Sequence, residues 1–172
     1  ANGGDLQAAF RTVVNRLVEH GAIAIDADLV YRELVGPGQP LLAKLADHFG
    51  EDIVAPDGSL DRPALGAIVF SDPEKLQELD ALTHPAVISE IDRRVDAIDE
   101  GVVVIDAVKL IESGHADRCD SVWVVTTDTE AQVQRLAKRN RLSLLEARRR
   151  VEAQPPMAAK LARADRVIDN SG

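Results

Sequence analysis

Four short apolar runs constrain the fold of this chain more than any other feature. They are Ala22-Ile23-Ala24-Ile25, Val102-Val103-Val104-Ile105, Ser121-Val122-Trp123-Val124-Val125-Thr126-Thr127 and Arg166-Val167-Ile168-Asp169. Apolar residues follow one another here instead of alternating with polar ones, the pattern of strands covered on both faces in a parallel α/β sheet. The first run ends at Asp26-Ala27-Asp28 and the second at Asp106. Carboxylates therefore stand at the carboxyl ends of strands, where open parallel sheets bind their ligands.

The intervening segments read as helices. Leu6, Phe10, Val13, Val14 and Leu17 recur at helical spacing over residues 6–20, and Gly21 supplies the stop. About 75 residues without a strand-like run separate the first two strands, and turns at Gly36-Pro37-Gly38-Gln39-Pro40 and Asp57-Gly58 break that stretch up. Asp72-Pro73 and His84-Pro85 each place proline where a first helical turn accepts it. Residues 29–100 thus form a helical insertion of four or five helices. Helices are also expected at 129–139 and 143–153, the second opened by Ser143 with Glu146 three residues on, a capping box. The whole, residues 1–172, reads as one unit.

Composition excludes several functions. Aromatics are only 3% of the 172 residues, which argues against an all-β sandwich. A single cysteine, Cys119, allows no internal disulfide, and four scattered histidines build no structural zinc site. No segment approaches a membrane span and the first residues carry no signal-peptide pattern, so a cytoplasmic, membrane-free protein is expected. The net charge of −9 is unevenly spread: residues 135–150 hold seven basic residues and one acid, +6, which leaves −15 elsewhere. A cationic patch on an acidic body suits a compact anion and not nucleic acid.

Acids at strand ends together with clustered arginines make a phosphoryl-transfer layout. At these residues the chain resembles the dephospho-coenzyme A kinase family. The matching segments are Gly21-Ala22 through Ile25-Asp26-Ala27-Asp28, Asp57-Gly58-Ser59-Leu60-Asp61-Arg62, Val69-Phe70, His84-Pro85, Gln132 to Arg139, Ala153-Gln154, and Ala164-Asp165 through Ile168-Asp169-Asn170-Ser171-Gly172. They are collinear and span nearly the whole chain. The resemblance implies a P-loop kinase fold with a five-stranded parallel sheet, a coenzyme A-binding helical insertion (29–100) and a basic lid (132–154). It implies transfer of the ATP γ-phosphoryl, with Mg²⁺, to the ribose 3′-hydroxyl of dephospho-CoA.

By that resemblance, Asp28 is the base for the 3′-hydroxyl proton, Arg139 stabilises the transferring phosphoryl, and Asn170 lies beside adenine. Gly4 and Thr12 belong to the nucleotide loop, and Arg62 and His84 to the substrate domain. Alternatives stand beside these roles. Asp28 can simply start a helix, Arg139 can form a solvated pair with Arg135, and His84 can cap a helix before Pro85. Asp61 is expected to cap a helix, which leaves Arg62 to reach a ligand. Asp106 either holds Mg²⁺ through water or merely ends a strand. Lys109 either reaches phosphate or pairs with Glu112.

One element departs from the family. Its phosphate loop reads Gly-x-x-x-x-Gly-Lys-Ser/Thr, and the corresponding window here is Gly4-Asp5-Leu6-Gln7-Ala8-Ala9-Phe10-Arg11-Thr12. Ala9 replaces the second glycine, Phe10 the lysine and Arg11 the hydroxyl residue. Phenylalanine cannot donate to phosphate, and Arg11 points about 100° away from position 10 on a helix. No apolar run precedes residue 1, and the family continues past the position of Gly172. Both ends read as fragment ends, and the family's first strand must come from outside the sequence or from another segment. Two functions follow: a kinase, impaired or not, or a non-enzymatic relative that binds coenzyme A or nucleotide. Another small-molecule kinase of the same fold fits the insertion and the Asp-Asn-Ser-Gly end less well. Oligomeric state is not encoded in any of these features.

Overall fold

The computed structural model describes residues 6–152 and 157–170, without the side chains of residues 6–10 and 139. Gly4 lies outside the described residues, as does the side chain of Arg139. The element order is α1 (Leu6–Glu19), β1 (Ile23–Asp26), α2 (Ala27–Leu34), α3 (Pro40–Phe49), α4 (Arg62–Val69), α5 (Pro73–Asp96), β2 (Val103–Asp106), β3 (Trp123–Thr126), α6 (Thr129–Asn140), α7 (Leu144–Glu152), α8 (Met157–Leu161) and β4 (Arg166–Asp169). Each apolar run became a strand, and the pairing is parallel throughout.

The strands form two parallel pairs. β1 pairs with β2 from Ile23↔Val103 to Asp26↔Asp106, and β3 pairs with β4 from Trp123↔Arg166 to Thr126↔Asp169. Among the described residues these are two separate two-stranded sheets, and no further strand is present to supply the family's fifth. A two-stranded pair keeps exposure that the interior of a wider sheet would lose. Ile23, Trp123 and Val167 are all more than 40% exposed, which corrects the expectation of strands covered on both faces.

Two compact units divide the chain. Residues 21–108 form the first, and two apolar clusters hold it together. Val35, Leu41, Leu45, Ala46, Ile53, Leu65 and Val69 knit α2, α3 and α4, with Leu76, Leu79, Leu82 and Ala86 of α5 against them. Ile25, Val30 and Ile91 form the second cluster, beside Val87, Val95, Val103 and Ile105. It fastens the β1–β2 pair to α2 and α5.

Caps delimit these helices as their sequences require. Asp61 accepts from the Ala64 amide at 2.9 Å at the start of α4, and Asp72 accepts from Glu74 at 2.9 Å at the start of α5. Gly21 ends the first helical segment at φ +94°, a left-handed conformation that glycine adopts without steric cost. His84-Pro85 does not start a helix. α5 runs straight through it for 24 residues with Pro85 inside. Proline has no amide proton for the carbonyl four residues back, a cost of about 3 kcal/mol. Burial on both sides of Pro85, in the two clusters just described, offsets it.

Residues 1–20 and 109–172 form the second unit. Val14 of α1 is buried there, and α1 packs on β3. Asp165 clamps the start of β3, its carboxylate accepting from the Val122 amide at 2.7 Å while its own amide donates to Val122 at 2.8 Å. α6 and α7 form a hairpin around Val133, Ala137 and Ala147. The capping box is complete: the Glu146 carboxylate accepts from the Ser143 amide at 3.0 Å, and the Glu146 amide donates to Ser143 Oγ at 3.2 Å. The Ser143 hydroxyl, donating at 2.6 Å, and the Ser143 amide hold the Glu146 carboxyl below its ordinary range. No helix among the described residues is long and apolar enough to cross a membrane.

Candidate active site

The parallel pairing of β1 and β2 sets Asp26 beside Asp106 in register at their carboxyl ends. The two acids do different work from there. Asp26 is the N-cap of α2, its carboxylate accepting from the Leu29 amide at 3.0 Å. That bond fixes where α2 begins and so places Asp28, which is exposed in its first turn. The capping role thus belongs to Asp26, and Asp28 follows it as an exposed residue in the first turn of α2.

One turn along the same face of α2, Tyr31 carries the site to α4. The Arg62 guanidinium sits over the Tyr31 ring, 5.6 Å from its centroid, a cation–π arrangement. Burial pushes the Tyr31 phenol up, and the adjacent Arg62 cation partly counters this. Arg62 itself is exposed, released from capping because Asp61 does that work. Asp28 and Tyr31 thus lie three residues apart on one side of α2, and Arg62 of α4 sits against Tyr31. Residue spacing signalled this, since Tyr31 stands three residues after Asp28, but the sequence reading did not single it out.

Half-buried His84 lies mid-helix in α5 with Nε2 3.4 Å from Asp80. It is no N-cap. Asp106 is half-buried at the end of β2.

In the second unit, a separate group gathers where β3 and β4 end. The Asn170 amide donates to the Thr126 carbonyl at 2.8 Å. The Asn170 carbonyl accepts from Arg135 at 3.2 Å and from the Thr127 hydroxyl at 3.4 Å. Gln132 donates to the Thr127 carbonyl at 2.9 Å. Gln132 and Arg135 are three residues apart, on one face of α6 turned toward the strand end. Arg135 is therefore a positioned cation, and its spacing from Gln132 was the available signal. Arg139 follows one turn later on α6.

Thr12 is exposed on α1. Lys109, also exposed, opens a series of turns, its carbonyl accepting from the Ser113 amide at 2.9 Å. Glu112 pairs with Lys160 at 3.2 Å. The phosphate-loop window is mostly helical, because α1 already begins at Leu6.

A parallel α/β chain with acids at its strand ends, and a basic helix hairpin after the third strand, is built as a kinase of the P-loop class. Comparison with known proteins agrees. The family model for dephospho-CoA kinase matches residues 3–172, and the chain belongs to that family. It is 46% identical to the dephospho-CoA kinase of Symbiobacterium thermophilum, over 98% of this chain and 72% of that one. Identity to the Geobacter sulfurreducens dephospho-CoA kinase is 44%, over 96% of this chain and 86% of that one. Among solved structures, a Thermus thermophilus protein superposes with a TM-score of 0.74 at 32% identity, covering 94% of this chain and 82% of that one. The Campylobacter jejuni dephospho-CoA kinase gives 0.66 at 27% identity, covering 96% and 82%.

Proposed function

We propose that this chain recognises dephospho-CoA through residues 29–100 and phosphorylates its ribose 3′-hydroxyl from ATP, at a rate limited by the altered phosphate loop. The observation that carries the reading is the placement of Arg62 against Tyr31, three residues after exposed Asp28 on α2. An exposed carboxylate suits a hydroxyl proton, and an exposed guanidinium one helix away suits the diphosphate of the same substrate. Asp28 accepts the proton as the hydroxyl oxygen attacks the γ-phosphorus and the bond to the β-phosphate oxygen breaks. Residues 132–154 act as the basic lid, with Arg139 on the transferring phosphoryl and Asn170 beside adenine. Arg135 anchors the Asn170 backbone for that purpose. Gly4 and Thr12 remain from the nucleotide loop, and Lys109 and His84 serve as further contacts to phosphate and substrate.

Mg²⁺ fits the donor set. It favours carboxylate oxygen with several retained waters, and Asp106, half-buried at a strand end beside Asp26, offers such an oxygen. When bound, the ion neutralises charge on the ATP phosphates. Among the described residues no cluster of three His, Cys, Asp or Glu side chains could form an all-protein cage.

Phe10 in place of the loop lysine removes a phosphate contact worth roughly 10²–10³ in rate. A second reading, a binding module without turnover, draws on the helical backbone from Leu6 onward. The test is incubation with dephospho-CoA and Mg-ATP, following coenzyme A formation, with calorimetry on dephospho-CoA alone. Slow turnover abolished by Asp28→Asn supports the kinase. Binding without any product assigns the second reading, and absence of binding overturns both.

A further inference from the structure

Phe70 is the most exposed large apolar side chain among the described residues, at 78%. It closes α4, its amide donating to the Gly66 carbonyl at 3.0 Å. Its ring folds back along the helix: a Cβ on Gly66 would meet two ring carbons at 3.4 and 3.5 Å. The ring therefore lies within ordinary van der Waals reach of the bare Gly66 backbone. Arg62, Gly66 and Phe70 succeed one another at i, i+4 and i+8, along the side of α4 next to its buried Leu65 and Val69. The face therefore runs from a cation to an exposed aromatic ring, about 12 Å apart along the axis.

We propose that Phe70 is a specificity-determining residue that takes the pantetheine arm of dephospho-CoA. This rests on the substrate assigned above. Dephospho-CoA is ADP extended by pantetheine, so the diphosphate is followed by a chain that opens with a methylene and a gem-dimethyl carbon. With the hydroxyl at Asp28 and the diphosphate at Arg62, that apolar stretch continues toward Phe70. An exposed ring recognises such a chain by covering its methyl and methylene groups, a contact that ADP lacks.

Calorimetry with two ligands tests this. Phe70→Ala should weaken dephospho-CoA binding about tenfold while ADP binding stays unchanged, and Phe70→Leu should recover most of the loss. Gly66→Leu, which favours the helix, should give the same selective loss by displacing the ring. Equal losses for both ligands, or none, overturn the proposal. So does wild-type self-association, by light scattering, that Phe70→Ala abolishes, since the face would then belong to a second copy. Failure of the wild type to prefer dephospho-CoA over ADP removes the substrate reading beneath it. A wild-type preference that survives Phe70→Ala removes the Phe70 role alone.

Discussion

Asp26 and Asp28 stand two residues apart, yet the cap made by Asp26 and the base role proposed for Asp28 can be resolved by substitution. Asp26→Ala deletes the bond to the Leu29 amide and leaves an unsatisfied donor at the start of α2. Losing such a cap costs about 1 kcal/mol, which lowers the melting temperature of a chain this size by roughly 2–4 °C. Asp26→Asn keeps an oxygen acceptor and should retain most of that stability. Asp28→Asn removes an exposed charge from the first helical turn, at the low end of the helix-dipole range, about 0.3 kcal/mol. Its effect on turnover should be far larger, about 10²–10⁴-fold in kcat with ATP affinity little changed. Thermal denaturation by circular dichroism and a coenzyme A formation assay, run on all three variants, give the comparison. Stability should fall in the order Asp26→Asn, Asp28→Asn, Asp26→Ala, while turnover is lowest in Asp28→Asn. Full turnover in Asp28→Asn would refute the division of labour. An Asp26→Ala variant as stable as the parent would refute the cap.

Acid stability should report Glu90, whose carboxyl is held down to about 2 from 4.5 by hydrogen bonds from Arg93 and Arg94. A depressed carboxyl stabilises above its unfolded value and loses that contribution as pH falls from about 4.5 toward 2, so Glu90→Gln should flatten stability across that window in pH-dependent denaturation. Arg141 ends α6 at φ 53°, left-handed for a residue with a Cβ; Arg141→Gly should raise stability by about 1 kcal/mol in urea denaturation, and a loss would show that the arginine side chain contributes more than its backbone costs. Restoring Ala9→Gly, Phe10→Lys and Arg11→Ser together should tighten Mg-ATP binding measured by calorimetry at least ~100-fold, since phosphate contacts carry much of that affinity. Tight Mg-ATP binding by the unaltered chain would instead point to Lys109 or Arg11 as the replacement cation.

Local signals were legible wherever one short segment contained both the pattern and its consequence. The four apolar runs gave the strands, and Asp61, Asp72 and the Ser143–Glu146 pair gave helix starts, because caps act within a few residues. Pro85 misled because the packing that keeps α5 helical comes from two clusters whose other members are distant in sequence. For the same reason Tyr31 escaped notice and Arg135 was read only as part of the basic segment. Each acquires its role from a partner about 30 residues away, Arg62 in one case and Asn170 in the other. Asp26 was hidden by its neighbour, since a strand ending in Asp-Ala-Asp does not say which acid the following helix will use.

The altered loop ties chemistry to conformation. Leu6-Gln7-Ala8-Ala9-Phe10-Arg11 has no glycine, and alanine, leucine, glutamine and arginine are among the strongest helix formers. A phosphate cradle needs backbone amides pointing inward from a non-helical loop. Once Ala9 replaces glycine, nothing local opposes helix, and α1 starts at Leu6. From residue 10 onward the amides are committed to carbonyls four residues back. The substitutions that remove the lysine thus also remove the loop that would present it, so lysine alone cannot restore phosphate binding. The acceptor side is independent of this change. Asp28, Tyr31 and Arg62 stand within residues 21–108, on helices packed by their own apolar clusters. On the proposed reading, recognition of dephospho-CoA and turnover of ATP should therefore be separable, and a substitution in the loop window should alter the second without the first.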